Sequence, residues 1–157
     1  MPDSDALPVS DEEIGLLREL TNAGVPFMLV DLGAAVLQGA DAVTKDLELW
    51  FRSLGDPGPA EAAQKVGAAF VWRNNPPLFS GPGLDDIDVV LKCDGLRDFD
   101  SEYQGAIEFV LVPGLVLKVL PLDRVLASKR AANRPKDLAV VPALEAAIAA
   151  IKESSGR

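Results

Sequence analysis

The feature that most constrains the fold is an unbroken run, residues 25–51, in which two apolar segments flank a stretch of small residues. Phe27 to Val30 is a short apolar run typical of a buried strand. Residues 33–38 are small or aliphatic and are followed by Gly39, which predicts a short helix closed by glycine. Residues 47–51 form the second apolar segment. Such a strand, helix and strand in close succession predict a sheet packed against helices.

Two acidic residues stand at the start of the second predicted strand. Asp46 and Glu48 are two positions apart, and residues so spaced in an extended chain project from the same face. A third, Asp88, opens another predicted strand within residues 84–91. Carboxylates gathered in this way suit Mg²⁺, whose other positions are filled by water and substrate phosphates. The alternative is that they are solvated strand ends.

The rest of the chain alternates further helices and strands. Ser10 and Glu13 form a capping box, which predicts that the first helix starts here. The middle of the chain predicts a helix from Ala60 to Gly67, short strands on either side of residues 74–77, a strand at Asp88 and a helix over residues 98–106. The last third predicts a hairpin of residues 107–112 and 115–120, a helix before residue 129, and a final helix over residues 138–151. This order predicts a single α+β domain, a mixed sheet flanked by helices with a helical C-terminus.

We expect the domain to span residues 10–153, with a flexible tail over residues 1–9 and a flexible end over residues 154–157. The N-terminus lacks the basic and apolar regions of a signal peptide, and no apolar stretch is long enough for a membrane span. These observations favour a cytoplasmic protein that does not enter a membrane.

Composition excludes several classes of function. Asp and Glu outnumber Lys and Arg by 24 to 15, a net charge of -9, which disfavours broad nucleic-acid binding. The chain contains no His, so Ser-His-Asp and Cys-His catalysis and His-ligated metals are excluded. The lone Cys93 cannot form an intrachain disulfide, and we interpret it as a core or surface residue.

The opening run resembles that of the nucleotidyltransferase superfamily with the DNA polymerase beta-like fold, above all its small bacterial members, some of which belong to toxin-antitoxin systems. Members have a strand, a glycine pair or Gly-Ser, a short helix ending in Gly, and then Arg-x-Thr-x-Asp-x-Asp on the next strand. In this sequence Gly39, Thr44, Lys45 and Asp46 match that pattern, and Glu48 replaces the second Asp.

A second block of the chain carries the same resemblance. After a strand and a helix, the family has Lys-x-x-x-x-Arg-x-Lys-Asp, which Lys129, Arg134, Lys136 and Asp137 match. The resemblance implies that Lys129 faces the nucleotide phosphates or the acceptor. The alternative is that these charges cap and solvate a helix junction, with Asp137 pairing one of the cations.

This sequence also departs from the family pattern. Asp31 and Leu32 replace the glycine pair, and Ala42 stands where many members have Arg. In the family the glycine pair lets the helix N-terminus approach the triphosphate, as anion sites at helix N-termini do. A negative charge and a bulky side chain at that place argue against nucleotide binding.

Two functions are therefore compatible with the sequence. The resemblance implies Mg²⁺-dependent transfer of a nucleoside monophosphate from a nucleoside triphosphate to an unidentified acceptor. The alternative is a catalytically degenerate family member that acts as a binding or regulatory module, with a second copy or another protein as its partner. The residues that the resemblance assigns are Asp46, Glu48 and Asp88 for the metal and catalysis, and Gly33, Thr44, Lys45 and Lys129 for the nucleotide.

Overall fold

The computed structural model describes residues 9–53 and 55–155. Within these residues the helices are α1 (Asp11–Asn22), α2 (Asp31–Leu37), α3 (Gly58–Lys65), α4 (Phe99–Gln104), α5 (Leu122–Ala132), α6 (Pro135–Ala139) and α7 (Val141–Ser155). The strands are β1 (Phe27–Val30), β2 (Leu47–Phe51), β3 (Ala69–Val71), β4 (Leu78–Ser80), β5 (Ile87–Val90), β6 (Ile107–Val112) and β7 (Leu115–Val119).

The strands form one sheet in the order β3-β4-β5-β2-β1-β7-β6. Two neighbouring pairs, β1 with β7 and β2 with β5, run parallel, while the other pairs are antiparallel. The prediction of a single mixed sheet flanked by helices, with a helical C-terminus, is confirmed.

The centre of the sheet is apolar on both faces. All four residues of β1 are buried, and β2 is buried except for Glu48, which is half-buried. On one face Phe51 packs against the rings of Phe70 and Phe79, with centroids 6.5 and 6.2 Å away. On the other face Trp50 meets the ring of Phe99 edge-on at 5.6 Å. Full burial of one such side chain stabilises a fold by about 1.5–3 kcal/mol, so these central strands anchor the site.

The capping box predicted for α1 is present. The backbone N–H of Glu13 donates to Ser10 Oγ at 3.1 Å, and the backbone N–H of Ser10 donates to Glu13 Oε1 at 2.8 Å. Burial of the Glu13 side chain raises the pKa of its carboxyl above its ordinary value. The cap fixes the start of the helix that leads directly into β1.

Two sequence-based boundaries were wrong. Helix α2 begins at Asp31 rather than Gly33, directly after β1, with Val30 as the capping residue. The predicted final helix is divided between α6 and α7 at Val140, since Pro142 lies in the first turn of α7, where a missing N–H is tolerated. The division at Val140 leaves α6 as a separate short helix that packs against α5, next to the candidate site.

Most of the expected flexible tail, residues 1–9, lies outside the described residues, as do residues 156–157 of the expected flexible end. Helix α7 extends to Ser155. None of the helices in the described part of the chain has the length and hydropathy that a membrane span needs.

Candidate functional site

The acidic residues at the start of β2 and β5 lie on one face of the sheet. Strands β2 and β5 are parallel neighbours, and Glu48 stands directly beside Asp88 in their register. Side chains of neighbouring residues in register project to the same side, so both carboxylates point away from the face that buries Leu47 and Ile87. Asp46 lies two residues before Glu48, just outside the strand.

These three carboxylates do not enclose an ion. Asp88 is exposed, and burial together with the charges of Asp46 and Asp86 raises the pKa of its carboxyl. Glu48 instead extends into a cavity beside Asp31. Among the described residues, no three or more acidic or cysteine side chains are arranged to hold a metal ion. Mg²⁺ binding by Asp46, Glu48 and Asp88 therefore stays a prediction.

Asp31 occupies an unusual backbone position between β1 and α2. Its φ of 59° lies in the left-handed region, which favours glycine and tolerates Asp and Asn better than other residues. This geometry turns the chain abruptly from the strand into the helix. The Asp31 side chain reaches Lys129 of α5, with Oδ1 2.6 Å from Nζ.

Lys129 is held by two carboxylates. Besides Asp31, its Nζ contacts Asp137 Oδ1 of α6 at 3.3 Å, and its side chain is only 12% exposed. Burial alone would lower the pKa of the Lys129 amine, but the hydrogen bonds and charges of Asp31 and Asp137 outweigh it and raise the pKa. Lys129 is therefore a buried cation that joins α2, α5 and α6.

Asp137 is the most buried member of this group. Its Oδ2 accepts from Arg134 Nε at 2.6 Å and from the Arg134 backbone N–H at 3.3 Å. The hydrogen bonds from Arg134, and then that from Lys129, lower the pKa of Asp137 to about 2 although burial opposes them. Asp137 is thus a permanently charged acceptor whose contact with Lys129 holds α6 against α5.

Glu48 completes the group at the sheet. Burial, the charge of Asp31 and a hydrogen bond with Asp31 raise the pKa of Glu48 to about 8, against a smaller opposing effect of Lys129. At neutral pH the Glu48 carboxyl is therefore largely protonated and can donate its hydrogen bond to Asp31. We call Glu48, Asp31, Lys129, Asp137 and Arg134 the internal ion network.

The internal ion network lines a cavity of about 130 Å³ at the junction of the sheet with α2, α5 and α6. Cys93 also lines this cavity, half-buried. Burial and the nearby Glu48 and Asp31 raise the pKa of the Cys93 thiol to about 12, so it stays protonated and is a poor nucleophile.

The structure brings only two of the predicted site residues, Glu48 and Lys129, to the cavity. Gly33 is buried in the first turn of α2, where a glycine leaves no side chain to contact a ligand. Thr44 Oγ1 accepts from the backbone N–H of Asp46 at 3.2 Å, and Lys45 is exposed in the same loop. The loop before β2 therefore stands apart from the cavity.

Two features of the site were missed at the level of sequence. The contact between Asp31 and Lys129 joins residues far apart in the chain, and no local pattern signals it. The proximity of Cys93 to Glu48 is equally nonlocal. One sequence signal could have indicated the contact between Asp31 and Lys129. Asp31 stands where the family pattern has a glycine, and Lys129, if buried, would need an acidic partner.

The fold is shared with a solved structure described as ANT(2'')-Ia, an aminoglycoside nucleotidyltransferase, in complex with adenylyl-2''-tobramycin. The two chains are 14% identical, the match covers 88% of each, and the TM-score is 0.54. Neither family models nor curated protein sequences match this chain. The likeness establishes a nucleotidyltransferase-like fold.

Proposed function

We propose that this chain is a catalytically degenerate nucleotidyltransferase, related to the small bacterial members of that superfamily, which serves in the cytoplasm as a binding or regulatory module. The observation that carries the proposal is the ion pair between Asp31 and Lys129. Lys129 is the residue that the family resemblance assigns to the phosphates, and in this chain its amine is occupied by a carboxylate 2.6 Å away.

Electrostatics supports this proposal. A triphosphate at Lys129 would lie within a few ångströms of Asp31, and two like charges about 4 Å apart repel by about 4 kcal/mol near a protein surface. Pairing Lys129 with Asp31 and Asp137 leaves no net positive charge to offset that repulsion. Binding of a polyanion would need the internal ion network to break.

The size of the cavity supports the same conclusion. Pockets that enclose drug-sized ligands have volumes of about 300–1,000 Å³. The cavity beside Lys129 measures about 130 Å³, enough for a few water molecules. The cavity by itself does not enclose a nucleoside triphosphate.

The protonation of Glu48 bears on the metal chemistry that the resemblance implies. Burial and Asp31 hold the pKa of Glu48 near 8, so a metal ion that bound there would have to displace its proton. The proposed module therefore uses its surface, and not this cavity, to act on a partner. By the family resemblance the partner would be another protein, as in a toxin-antitoxin system.

An assay of label transfer tests the proposal. We expect the full chain, incubated with α-labelled nucleoside triphosphates, Mg²⁺ and a cell extract as the source of acceptors, to transfer no more label than the Asp88→Asn variant. Transfer that needs Asp88 would contradict the proposal and establish an active nucleotidyltransferase.

A second candidate function is that transferase itself, and one observation favours it. Glu48 and Asp88 are in register on parallel strands, with Asp46 two residues away, as the family's ligand set would require. The discriminating measurement is calorimetry of Mg²⁺ alone. If this function is right, Mg²⁺ binds the wild-type chain and binding falls in Asp88→Asn. If the degenerate module is right, neither chain binds Mg²⁺ at millimolar concentration.

A further inference from the structure

Strand β6 forms one end of the sheet, so its outer edge pairs with no other strand of the described chain. It is six residues long and has one charged residue, Glu108, with no Pro or Gly. Val110 is 61% exposed and Ile107 is 37% exposed. A long apolar edge of this kind offers free backbone N–H and C=O groups for pairing with another strand.

The opposite end of the sheet is protected by contrast. Strand β3 has only three residues and is followed by Trp72, which is 56% exposed, and by Arg73, whose guanidinium lies 5.1 Å from the centroid of the Trp72 ring. The proline-rich residues 76–77 follow. Short edge strands, charged side chains and prolines are the usual means by which proteins blunt an edge. Strand β6 lacks all three except for Glu108, so the two edges are not equivalent.

The charge of Glu108 is neutralised locally. Its carboxylate contacts Lys118 Nζ of β7 at 3.0 Å, directly across the strand pair. On the same face Val110 pairs with Val116, which is 45% exposed. The surface formed by Glu108, Val110, Val116 and Lys118, which we call the β6 patch, therefore combines two exposed valines with an ion pair and has no net charge.

This local neutrality matters because the chain carries a net charge of -9. Two copies repel each other over most of their surfaces, and the repulsion is least where a patch without net charge meets its own copy. The β6 patch can also be self-complementary. In antiparallel pairing about a two-fold axis at Phe109, Glu108 stands opposite Val110 of the other copy, and no two like charges oppose each other.

We propose that β6 pairs antiparallel with β6 of a second copy of this chain, so that the two sheets become one continuous sheet in a two-fold symmetric dimer. Such an isologous contact is closed because it uses both β6 edges, and the joined sheet then ends only in the short β3 strands. The irregular pairing between Val110 and Val112 limits the regular part of the new ladder to residues 108–110, because Ile107 would pair with Leu111. This proposal does not depend on the function proposed above for the chain.

The size of the contact sets the expected strength. One short strand pair, with Val110 and Val116 exposed in each copy, buries less than the roughly 1,200 Å² at which stable interfaces begin. We therefore expect a dimer in rapid exchange with the monomer, with a dissociation constant on the order of 10 µM.

Sedimentation velocity of the full chain over a range of concentrations tests the proposal. We expect the wild type to change from monomer to dimer, and Val110→Glu to weaken association at least about tenfold, because the new carboxylate faces Glu108 of the other copy. The matched control is Val43→Glu, since Val43 is 79% exposed but lies in the loop before β2. That variant should dimerise as the wild type does. Circular dichroism confirms that each variant is folded.

Hydrogen exchange of backbone amides at low and high protein concentration locates the contact independently. The proposal predicts slower exchange in residues 107–111 at high concentration and no change in residues 69–71 of β3. A monomer at all concentrations would overturn it, as would a dimer that Val110→Glu does not weaken. Concentration-dependent protection confined to other residues would also overturn it.

Discussion

Lys129 is the residue on which the internal ion network depends. Replacing it by Met keeps the length of the side chain but removes the charge between Asp31 and Asp137. Breaking a buried pair by removing one partner typically costs 3–5 kcal/mol, and since the Lys129 side chain is 12% exposed we expect a loss of about 3 kcal/mol. Urea denaturation of Lys129→Met against the wild type measures it.

The matched control for that variant is Lys136→Met. Lys136 lies in α6 close to Lys129 in sequence, but it is exposed. A surface substitution of this kind usually changes the free energy of unfolding by less than about 0.5 kcal/mol. Equal losses in the two variants would mean that Lys129 merely solvates a helix junction, the alternative left open by the sequence.

Glu48 should make stability depend on pH. Its pKa in the folded chain, about 8, lies above the ordinary value of 4.5, so the folded state binds a proton that the unfolded state has released between these values. The stabilisation is complete below pH 4.5 and is lost as the pH rises through 8. Over this window the free energy of unfolding should fall by up to about 1.4 kcal/mol per pH unit.

The variant that isolates this effect is Glu48→Gln, whose amide imitates the protonated carboxyl and does not titrate. Urea denaturation of both chains at several pH values, with a chelator present, should give a flatter profile for Glu48→Gln between pH 5 and about 8. Parallel profiles would show that Glu48 is ionised in the folded chain. Taking the difference removes the contributions of Glu13 and Asp88, whose pKa values are also raised.

At the scale of single residues, the sequence predicted where some side chains lie and not where others do. The common face of Glu48 and Asp88 follows from strand alternation and from the start of each apolar run, both of which are local. The pairing of Asp137 with a cation of its own block was expected and is present. The contact of Lys129 with Asp31 could not be predicted, because the two residues meet only once β1 and β7 are neighbours in the sheet. The same holds for the high pKa of Glu48, which needs the burial that packing creates.

At the scale of elements, local signals predicted most helices and strands. The capping box of α1, the hairpin of β6 and β7 and the apolar run of β2 were all correct because each depends on neighbouring residues. The predicted start of α2 was wrong because Asp31 adopts a left-handed φ, a conformation that is not expected of a residue other than glycine. The division between α6 and α7 was missed although Pro142 marks it.

Helix α4 is fastened to α5 by a buried carboxylate. Glu102 is 6% exposed and accepts from Arg124 Nε at 2.9 Å and from Nη2 at 2.6 Å. Arg124→Met would leave that carboxylate with only the backbone N–H of Arg97 as a donor. We expect a loss of about 2–3 kcal/mol, measured by urea denaturation, because an unpaired buried charge keeps its desolvation penalty.

The same helix offers the control. Arg130 of α5 pairs with Glu145 of α7 at 3.2 Å, but both side chains are more than half exposed. Exposed pairs contribute about 0–1 kcal/mol, so Arg130→Met should cost far less than Arg124→Met. Similar losses of unfolding free energy in the two variants would contradict the claim that the buried contact between Glu102 and Arg124 holds α4 against α5.

At the scale of the whole molecule, the order of the strands decides where the site lies. The sequence predicted a mixed sheet, but not that β1 would lie between β2 and β7, which is what brings α5 over the start of α2. Strand order depends on contacts between distant segments, and a single sequence gives no direct measure of them. The nucleotidyltransferase-like fold thus places the chain's own charged side chains around the cavity between the sheet and α2, α5 and α6.

The measurement that tests this account most directly is calorimetry of ATP with Mg²⁺ against the wild type, Asp31→Gly and Asp31→Asn. Glycine accepts the φ of 59° and removes both the charge and the side chain, while asparagine removes only the charge. We expect no binding by the wild type at millimolar ATP, and binding at least about tenfold tighter in both variants, because Lys129 is released from Asp31. Tight binding by the wild type, or no gain in either variant, would contradict the claim that the Asp31–Lys129 pair occupies a phosphate site.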